Sequence, residues 1–145
     1  MNESVAIRQE KGFVFVNDFG NATPILRSDE TAPLGTGTGP SPVQLLAASV
    51  GNCLAASLLF ALRKFKQAPE PICAQVEAVV GRNEQKRIRV QRLKVRIDLG
   101  VPAEQLAQLD RALAQFEDFC TVTASVRACT PVDVEVYDSA GRHLK

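Results

Sequence analysis

A long uncharged stretch in the first half of the chain constrains the fold more than any other feature. No charged residue occurs between Ser41 and Arg63. Ser41 is a suitable N-cap, Pro42 suits the first helical position, and Gln44 completes a capping box. The apolar residues that follow occupy more than one helical face: Leu45, Leu46, Val50, Cys53, Leu54, Leu58, Ala61, Leu62 and Phe65. A helix that is apolar nearly all round must be buried in a core or in an interface.

A membrane span is the alternative interpretation of the same stretch. At ~1.5 Å per residue a helix of about 25 residues would be roughly 37 Å long, which exceeds the width of a small domain. Small and polar residues interrupt the stretch and weaken a membrane assignment: Gln44, Ser49, Gly51, Asn52 and Ser57. The sequence therefore favours a central core helix, and no membrane partner is expected.

Composition indicates an ordinary soluble globular protein. The chain has 145 residues, of which 46% are hydrophobic and 23% charged, with a net charge of +1. We expect a single domain over residues 1–145. The N-terminus carries charges and no apolar signal-peptide core, so a cytoplasmic location is expected. In that reducing compartment, paired cysteines are more often catalytic or redox-sensing than structural.

The remaining segments predict an α+β fold. Short extended runs over residues 4–27 are typical of an antiparallel meander, and the Gly, Pro and Thr residues of 28–40 form a loop before the helix. This loop is either a plain connector or the wall of a pocket near the helix start. Residues 72–80 form a strand, and residues 102–119 have the apolar spacing of one amphipathic helix. A short helical turn and a last strand follow.

A basic strand over residues 87–99 is the one feature that would attract nucleic acid. Its apolar alternation reverses phase at Gln91 and Arg92, which predicts a bulge. The last strand carries Asp133 and Glu135 in alternation with valines, so ordinary cross-strand ion pairing explains the basic side chains. With a net charge near zero, no nucleic-acid partner is expected.

Most catalytic and metal chemistries are excluded by the residue inventory. The only histidine, His143, lies near the C-terminus, so triads that need histidine are implausible. The four cysteines lack C-x-x-C spacing, so neither a zinc site nor another metal site is expected. Thiol chemistry and carboxylate chemistry remain, and the cysteine pattern is the more informative of the two.

Cys53 and Cys120 are the candidate catalytic residues. Cys53 lies in the core helix and Cys120 at a helix junction. If their Cα atoms were within about 7 Å, one thiolate could attack a peroxide and the other could resolve the sulfenic acid as a disulfide. The alternative is that Cys53 is a small core hydrophobe. Cys73 and Cys129 lie in or beside strands, and a structural role is preferred for both.

Two segments resemble the OsmC/Ohr family. GTGTGPSPVQLLAASVGNCLAASLLFAL is similar to that family's loop and central helix, with its G-P-x-P-x-x-L-L-x-A-x-x-x-C type run. EDFCTVTASVRACTPVDVEV is similar to the second-cysteine segment, where a cysteine follows the second helix. The resemblance extends over residues 20–137 in element order as well as in motif.

The resemblance implies an OsmC-like fold in which antiparallel sheets wrap around the long helix and two chains interlock as a homodimer. It implies active sites at the dimer interface, with Cys53 as the peroxidatic thiol and Cys120 as the resolving thiol. It also implies reduction of organic hydroperoxides by a dithiol reductant, without metal or other cofactor, in defence against oxidative stress.

The sequence departs from the peroxidase branches of that family at the helix start. Those branches place a glutamate one residue after the opening proline, where it holds an arginine against the reactive sulfur. Here that position is Val43, followed by Gln44. Arg27 is a candidate for the substrate-binding, activating arginine, with Arg8 as another. The chain therefore resembles the OsmC-like branches outside the dedicated hydroperoxide reductases.

Two functions follow as hypotheses. The first is a thiol-dependent peroxidase that works through Cys53 and Cys120. The alternative is a non-catalytic dimer that binds a small apolar or electrophilic ligand in its interface pocket, and the valine in place of a charged residue motivates it.

Overall fold

A computed structural model describes residues 1–145. The chain divides into two compact units, residues 1–46 and residues 47–145. Two sheets and three α-helices give the predicted α+β class. Since Val14 and Val16 are the only buried apolar residues in the first unit, it has little core of its own. The single domain over residues 1–145 stays a prediction.

The first unit contains the predicted antiparallel meander. Its three strands, in the order β1-β2-β3, are β1 (Ala6–Lys11), β2 (Val14–Asp18) and β3 (Leu26–Ser28). Gln9 pairs with Phe15 and Lys11 with Val14, so Glu10 is the extra residue of a bulge. The turn between β1 and β2 includes Gly12 with φ of 52°, a conformation that glycine adopts without strain.

The loop after β3 is organised by one buried carboxylate. Asp29 is 2% exposed, and its Oδ2 accepts hydrogen bonds from the amide and hydroxyl of Thr36 (3.0 and 2.7 Å) and of Thr38 (3.1 and 3.0 Å). Gly35 lies so close to the carbonyl of Glu30 that no Cβ would fit there. The loop is therefore a folded structure that fixes the approach of the chain to the long helix.

The long helix α1 (Pro42–Lys64) begins as the sequence predicts. Gln44 Oε1 accepts from the amide of Ser41 (2.8 Å), and Ser41 Oγ accepts from the amide of Gln44 (3.2 Å), which confirms the capping box. At the other end Lys66 is left-handed (φ 59°), and the amide of Gln67 donates to the carbonyl of Leu62. That 6→1 bond satisfies a terminal carbonyl and ends the helix.

One face of α1 belongs to the core of the second unit. Val50, Leu54, Leu58 and Leu62 are each 0% exposed. By length and composition alone α1 could cross a membrane, but core helices of soluble proteins meet the same criterion. The buried face supports the predicted core helix and a soluble protein.

The second sheet has the order β4-β5-β6. Its strands are β4 (Cys73–Arg82), β5 (Ile88–Asp98) and β6 (Val132–Tyr137). Val79 pairs with Arg92 and Val80 with Val90, so Gln91 is the bulged residue and the predicted bulge is confirmed. Beyond it, Leu93 and the next two alternate residues of β5 face the core.

Basic side chains on the outer face of β5 form ion pairs with acidic side chains on the neighbouring strands, as the alternating charges indicate. Lys94 lies 3.2 Å from Glu77, and Arg92 contacts Asp133 at 2.5 Å. These two cross-strand pairs, and the pair of Arg96 with Asp98 of the same strand, neutralise the central part of the basic stripe within the sheet. The absence of a nucleic-acid partner stays a prediction.

The expectation of purely antiparallel sheets is wrong for the last strand. β6 runs parallel to β5, with Leu93 opposite Val132 and Asp98 opposite Tyr137. Between them the chain passes through α2 (Leu109–Gln115) and α3 (Thr121–Arg127), which return it to the starting end of β5. A helical crossover of this length is what a parallel pair requires.

The single helix expected over residues 102–119 is also wrong. The segment contains a 3-10 turn at Ala103–Gln105, then α2, then a second 3-10 turn at Phe116–Phe119. Gln108 is left-handed (φ 60°), and the side-chain oxygen of Gln67 takes the amide of Ala107 at 2.9 Å. A side chain from 40 positions earlier thus replaces a helical hydrogen bond.

The hydrogen bonds of Asp29 predict how the stability of the protein changes in acid. The hydroxyl of Thr36, followed by backbone amides of the loop, holds the pKa of Asp29 well below its usual range. Its contribution to stability is therefore complete above pH about 4 and is lost only in stronger acid. Asp29→Asn, whose amide cannot accept all these bonds, should lower the melting temperature by a constant amount above that pH.

Thermal unfolding followed by circular dichroism as a function of pH measures this difference. Asp18→Asn is the matched control, because Asp18 is exposed and accepts one turn hydrogen bond from Gly20. A difference between wild type and Asp29→Asn that already disappears above pH about 4 would contradict the assignment.

Candidate active site

Close packing against β4 fixes the part of α1 that carries Cys53. Gly51 is buried, and a Cβ there would lie 2.7 Å from Cγ2 of Val76. The glycine therefore allows the helix backbone to approach the sheet. Cys53, two residues later, is partly buried and packs against the core cluster. The residue as a whole retains some access to solvent.

Cys120 lies at the junction between the second 3-10 turn and α3. It is the N-cap residue of α3, with extended backbone (φ −87°, ψ 93°), and it is 0% exposed. Its amide donates to the carbonyl of Glu117 (3.1 Å), and its carbonyl accepts from the amide of Ala124 (3.0 Å). The backbone of Cys120 is thus held on both sides.

The structure brings the two predicted cysteines together. Cys53 packs against the core cluster that contains Cys120 and lies close enough to influence its thiol, and both cysteines are in the reduced form. Burial raises the pKa of the Cys120 thiol, and the neighbouring Cys53 raises it further. Cys120 is therefore a neutral thiol at neutral pH, next to a second thiol that is more accessible.

Thr123 is a site residue that the sequence interpretation missed. It is 0% exposed, and the Cys120 thiol donates to its Oγ1 at 2.9 Å. The hydroxyl and the amide of Thr123 lower the pKa of Cys120, against the effects of burial and of Cys53. The signal available in the sequence was the C-x-x-T spacing at a helix start, where residues i and i+3 are neighbours.

An ion-pair cluster holds the turn that precedes Cys120. The carboxylate of Glu117 contacts Arg127 and Lys145, each at 2.6 Å. Partial burial raises the pKa of Glu117, but the two cations outweigh this and hold it below its usual range. Arg127 also donates to the carbonyl of Val132, which links the turn to β6.

The other predicted or considered residues lie elsewhere. Arg27 belongs to the first unit, where its Nε donates to Oε2 of Glu10 at 2.9 Å, and its side chain is 52% exposed. Val43 is the second residue of α1. Cys73 and Cys129 are exposed, so neither is a core residue. The structure places no group of three or more histidine, cysteine or acidic side chains where they could hold a metal ion.

Solved structures share this architecture. An OsmC-like protein of unknown function from Vibrio cholerae superposes with a TM-score of 0.78 at 15% identity, covering 94% of this chain and 99% of that one. An organic hydroperoxide resistance protein from Elizabethkingia anophelis gives 0.73 at 14% identity, covering 96% and 99%.

The organic hydroperoxide resistance protein OhrB of Bacillus subtilis gives a TM-score of 0.66 at 15% identity, covering 94% of this chain and 98% of that one. At such identities the likeness establishes the fold. No curated protein matches the chain significantly.

The sequence itself provides the family assignment. The family described as OsmC-like protein matches residues 35–135, which is more than half of the chain and includes both Cys53 and Cys120. Together with the fold, this match means that the chain belongs to the OsmC-like protein family.

Proposed function

We propose that this protein is a thiol-dependent peroxidase that reduces organic hydroperoxides through Cys53 and Cys120, in defence against peroxide stress. The observation that carries the proposal is the contact between a partly accessible thiol on α1 and a buried thiol at the start of α3. Two structural relatives are named as organic hydroperoxide resistance proteins, which supports the same substrate class.

The unequal burial of the two cysteines supports different roles for them in this proposal. Cys53 is the more accessible, so its thiolate attacks the peroxide. A sulfur–oxygen bond forms, the oxygen–oxygen bond breaks, and the alkoxide takes a proton and leaves as alcohol. Cys53 becomes a sulfenic acid.

Cys120 then resolves the sulfenic acid. Its thiolate attacks the sulfur of Cys53, the disulfide bond forms, and hydroxide leaves and takes up a proton as water. A dithiol reductant exchanges with the disulfide, becomes oxidised itself and returns both cysteines to thiols. No metal or organic cofactor takes part in this cycle.

Activation of Cys53 is where this chain differs from the peroxidase pattern. Val43 cannot hold an arginine by a charged pair. Arg27 is instead paired with Glu10, a carboxylate from β1. Arg27 remains our candidate for the cation that favours the reactive thiolate, with Glu10 as the carboxylate that fixes its guanidinium.

We propose further that two copies form a homodimer. The first unit exposes eight large apolar side chains: Met1, Val5, Ile7, Phe13, Phe15, Phe19, Ile25 and Leu34. On α1, the stripe formed by Ala48, Asn52, Ala56 and Phe60 is exposed at four-residue spacing. A helix that is apolar nearly all round, but has only one face buried, needs another apolar surface to cover the exposed face. A second copy of the chain would supply that surface by symmetry.

Ligand binding without turnover is the second candidate function. Val43, in place of the charged residue that the peroxidase branches carry, favours this candidate. The first unit also has a cleft of about 690 Å³ lined in part by Phe13 and Leu34, which suits an apolar molecule. Such a protein would show ligand-dependent melting but no dithiol-dependent turnover.

Turnover of an organic hydroperoxide with a dithiol reductant tests the peroxidase proposal. Cys53→Ser should abolish turnover, because it removes the sulfur that attacks the peroxide. Cys120→Ser should leave a sulfenic acid on Cys53 that a sulfenate-specific probe traps. Cys129→Ser is the matched control, because Cys129 is exposed, and it should keep wild-type turnover. Unchanged turnover in Cys53→Ser would refute the proposal.

Sedimentation tests the dimer. The wild type should sediment at twice the chain mass of 15.7 kDa. Ala56→Glu places a charge in the exposed stripe of α1 and should shift the protein toward monomer. Ala114→Glu is the control, because Ala114 is an exposed alanine of α2. A wild type that remains monomeric at micromolar concentration would contradict the proposed assembly.

A further inference from the structure

The contact between Thr123 and Cys120 is a buried polar pair that the fold alone does not require. Both residues are 0% exposed, and the Cys120 thiol donates to Oγ1 of Thr123 at 2.9 Å. Thr123 is the third residue of α3, and Cys120 is the N-cap of the same helix. Valine would fill nearly the same volume without burying a hydroxyl, which needs a partner to offset its desolvation.

A hydroxyl can serve both protonation states of the neighbouring sulfur. When Cys120 is a thiol, its S–H donates to the oxygen of Thr123, as in this structure. When the proton leaves, the hydroxyl can rotate and donate its own hydrogen to the thiolate, since a threonine hydroxyl is both donor and acceptor. Valine can do neither, and serine can do both.

The resolving step is where this exchange matters. Cys120 must lose its proton before its sulfur can attack Cys53, yet burial and the adjacent Cys53 both oppose the ionised form. Thr123 is the one side chain beside Cys120 that acts in favour of the thiolate. Arg127 and Lys145, the cations at the turn before Cys120, are both paired with Glu117, so the thiolate depends on hydrogen bonds for its stabilisation.

We propose that Thr123 is the positioning residue of the resolving step: its hydroxyl orients the Cys120 sulfur and stabilises it as a thiolate during attack on the Cys53 sulfenic acid. This inference rests on the proposed peroxidase function. The disulfide bond forms, the sulfur–oxygen bond of Cys53 breaks, and the hydroxide that leaves becomes water by taking up a proton.

The first test follows disulfide formation after one equivalent of an organic hydroperoxide, by acid quench and mass spectrometry, across a range of pH. Thr123→Val should form the Cys53 sulfenic acid at the wild-type rate. At neutral pH it should then form the disulfide about tenfold more slowly, because a hydrogen bond to a charged group is lost. The deficit should shrink as pH rises, because high pH ionises Cys120 without help.

Conservative and matched variants separate this role from packing. Thr123→Ser keeps the hydroxyl and should restore most of the rate. Thr121→Val is the control, because Thr121 is exposed in the same helix, and it should behave as wild type. If Thr123→Val does not fold, Thr123→Ala replaces it. A variant lacking the hydroxyl that has the wild-type pH profile, or Thr123→Ser as slow as Thr123→Val, would overturn the proposal.

A second measurement is independent of peroxide chemistry. In Cys53→Ala/Cys73→Ser/Cys129→Ser, Cys120 is the only thiol, and ultraviolet absorbance of the thiolate reports its titration. Adding Thr123→Val should move the pKa of Cys120 upward, and an unchanged pKa would overturn the inference. If peroxide produces no disulfide in the wild type, the proposed function fails, and this titration still decides whether Thr123 stabilises the thiolate.

Discussion

Burial of one apolar face of α1 in the core of the second unit is the interaction on which the rest of the structure depends. Val50, Leu54, Leu58 and Leu62 are excluded from water, and each large aliphatic side chain contributes about 1.5–3 kcal/mol by burial. Gly51 lets this face approach β4 at van der Waals distance. The same packing places Cys53 at the edge of the core. There the residue is fixed by its neighbours and is still partly exposed to solvent.

Cys120, in contrast to the partly exposed Cys53, is completely buried. Full burial opposes ionisation of its thiol, and the hydrogen bond with Thr123 acts in the opposite direction. Thr123 contacts the sulfur, and Glu117 holds the preceding turn through Arg127 and Lys145. The site combines a less buried cysteine with a fully buried and constrained one, and this difference is the basis of the two-cysteine cycle that we propose.

Local patterns were sufficient to predict much of this architecture. The capping box at Ser41 and the bulge at Gln91 each depend on residues a few positions apart, so the sequence reveals them directly. The parallel β6 and the broken helix near Gln108 could not be predicted in this way, because they depend on long-range pairing and on the distant Gln67. Likewise, the family motif was sufficient to select Cys53 and Cys120 as candidates. The hydrogen bond between Cys120 and Thr123 was recognised only in the structure.

The most direct test of the central claim is peptide mapping by mass spectrometry, under non-reducing conditions, after one equivalent of an organic hydroperoxide. We expect rapid formation of a disulfide between Cys53 and Cys120, with Cys73 and Cys129 left as thiols. Absence of that disulfide, or oxidation confined to the two exposed cysteines, would contradict it and would leave ligand binding as the function of this fold.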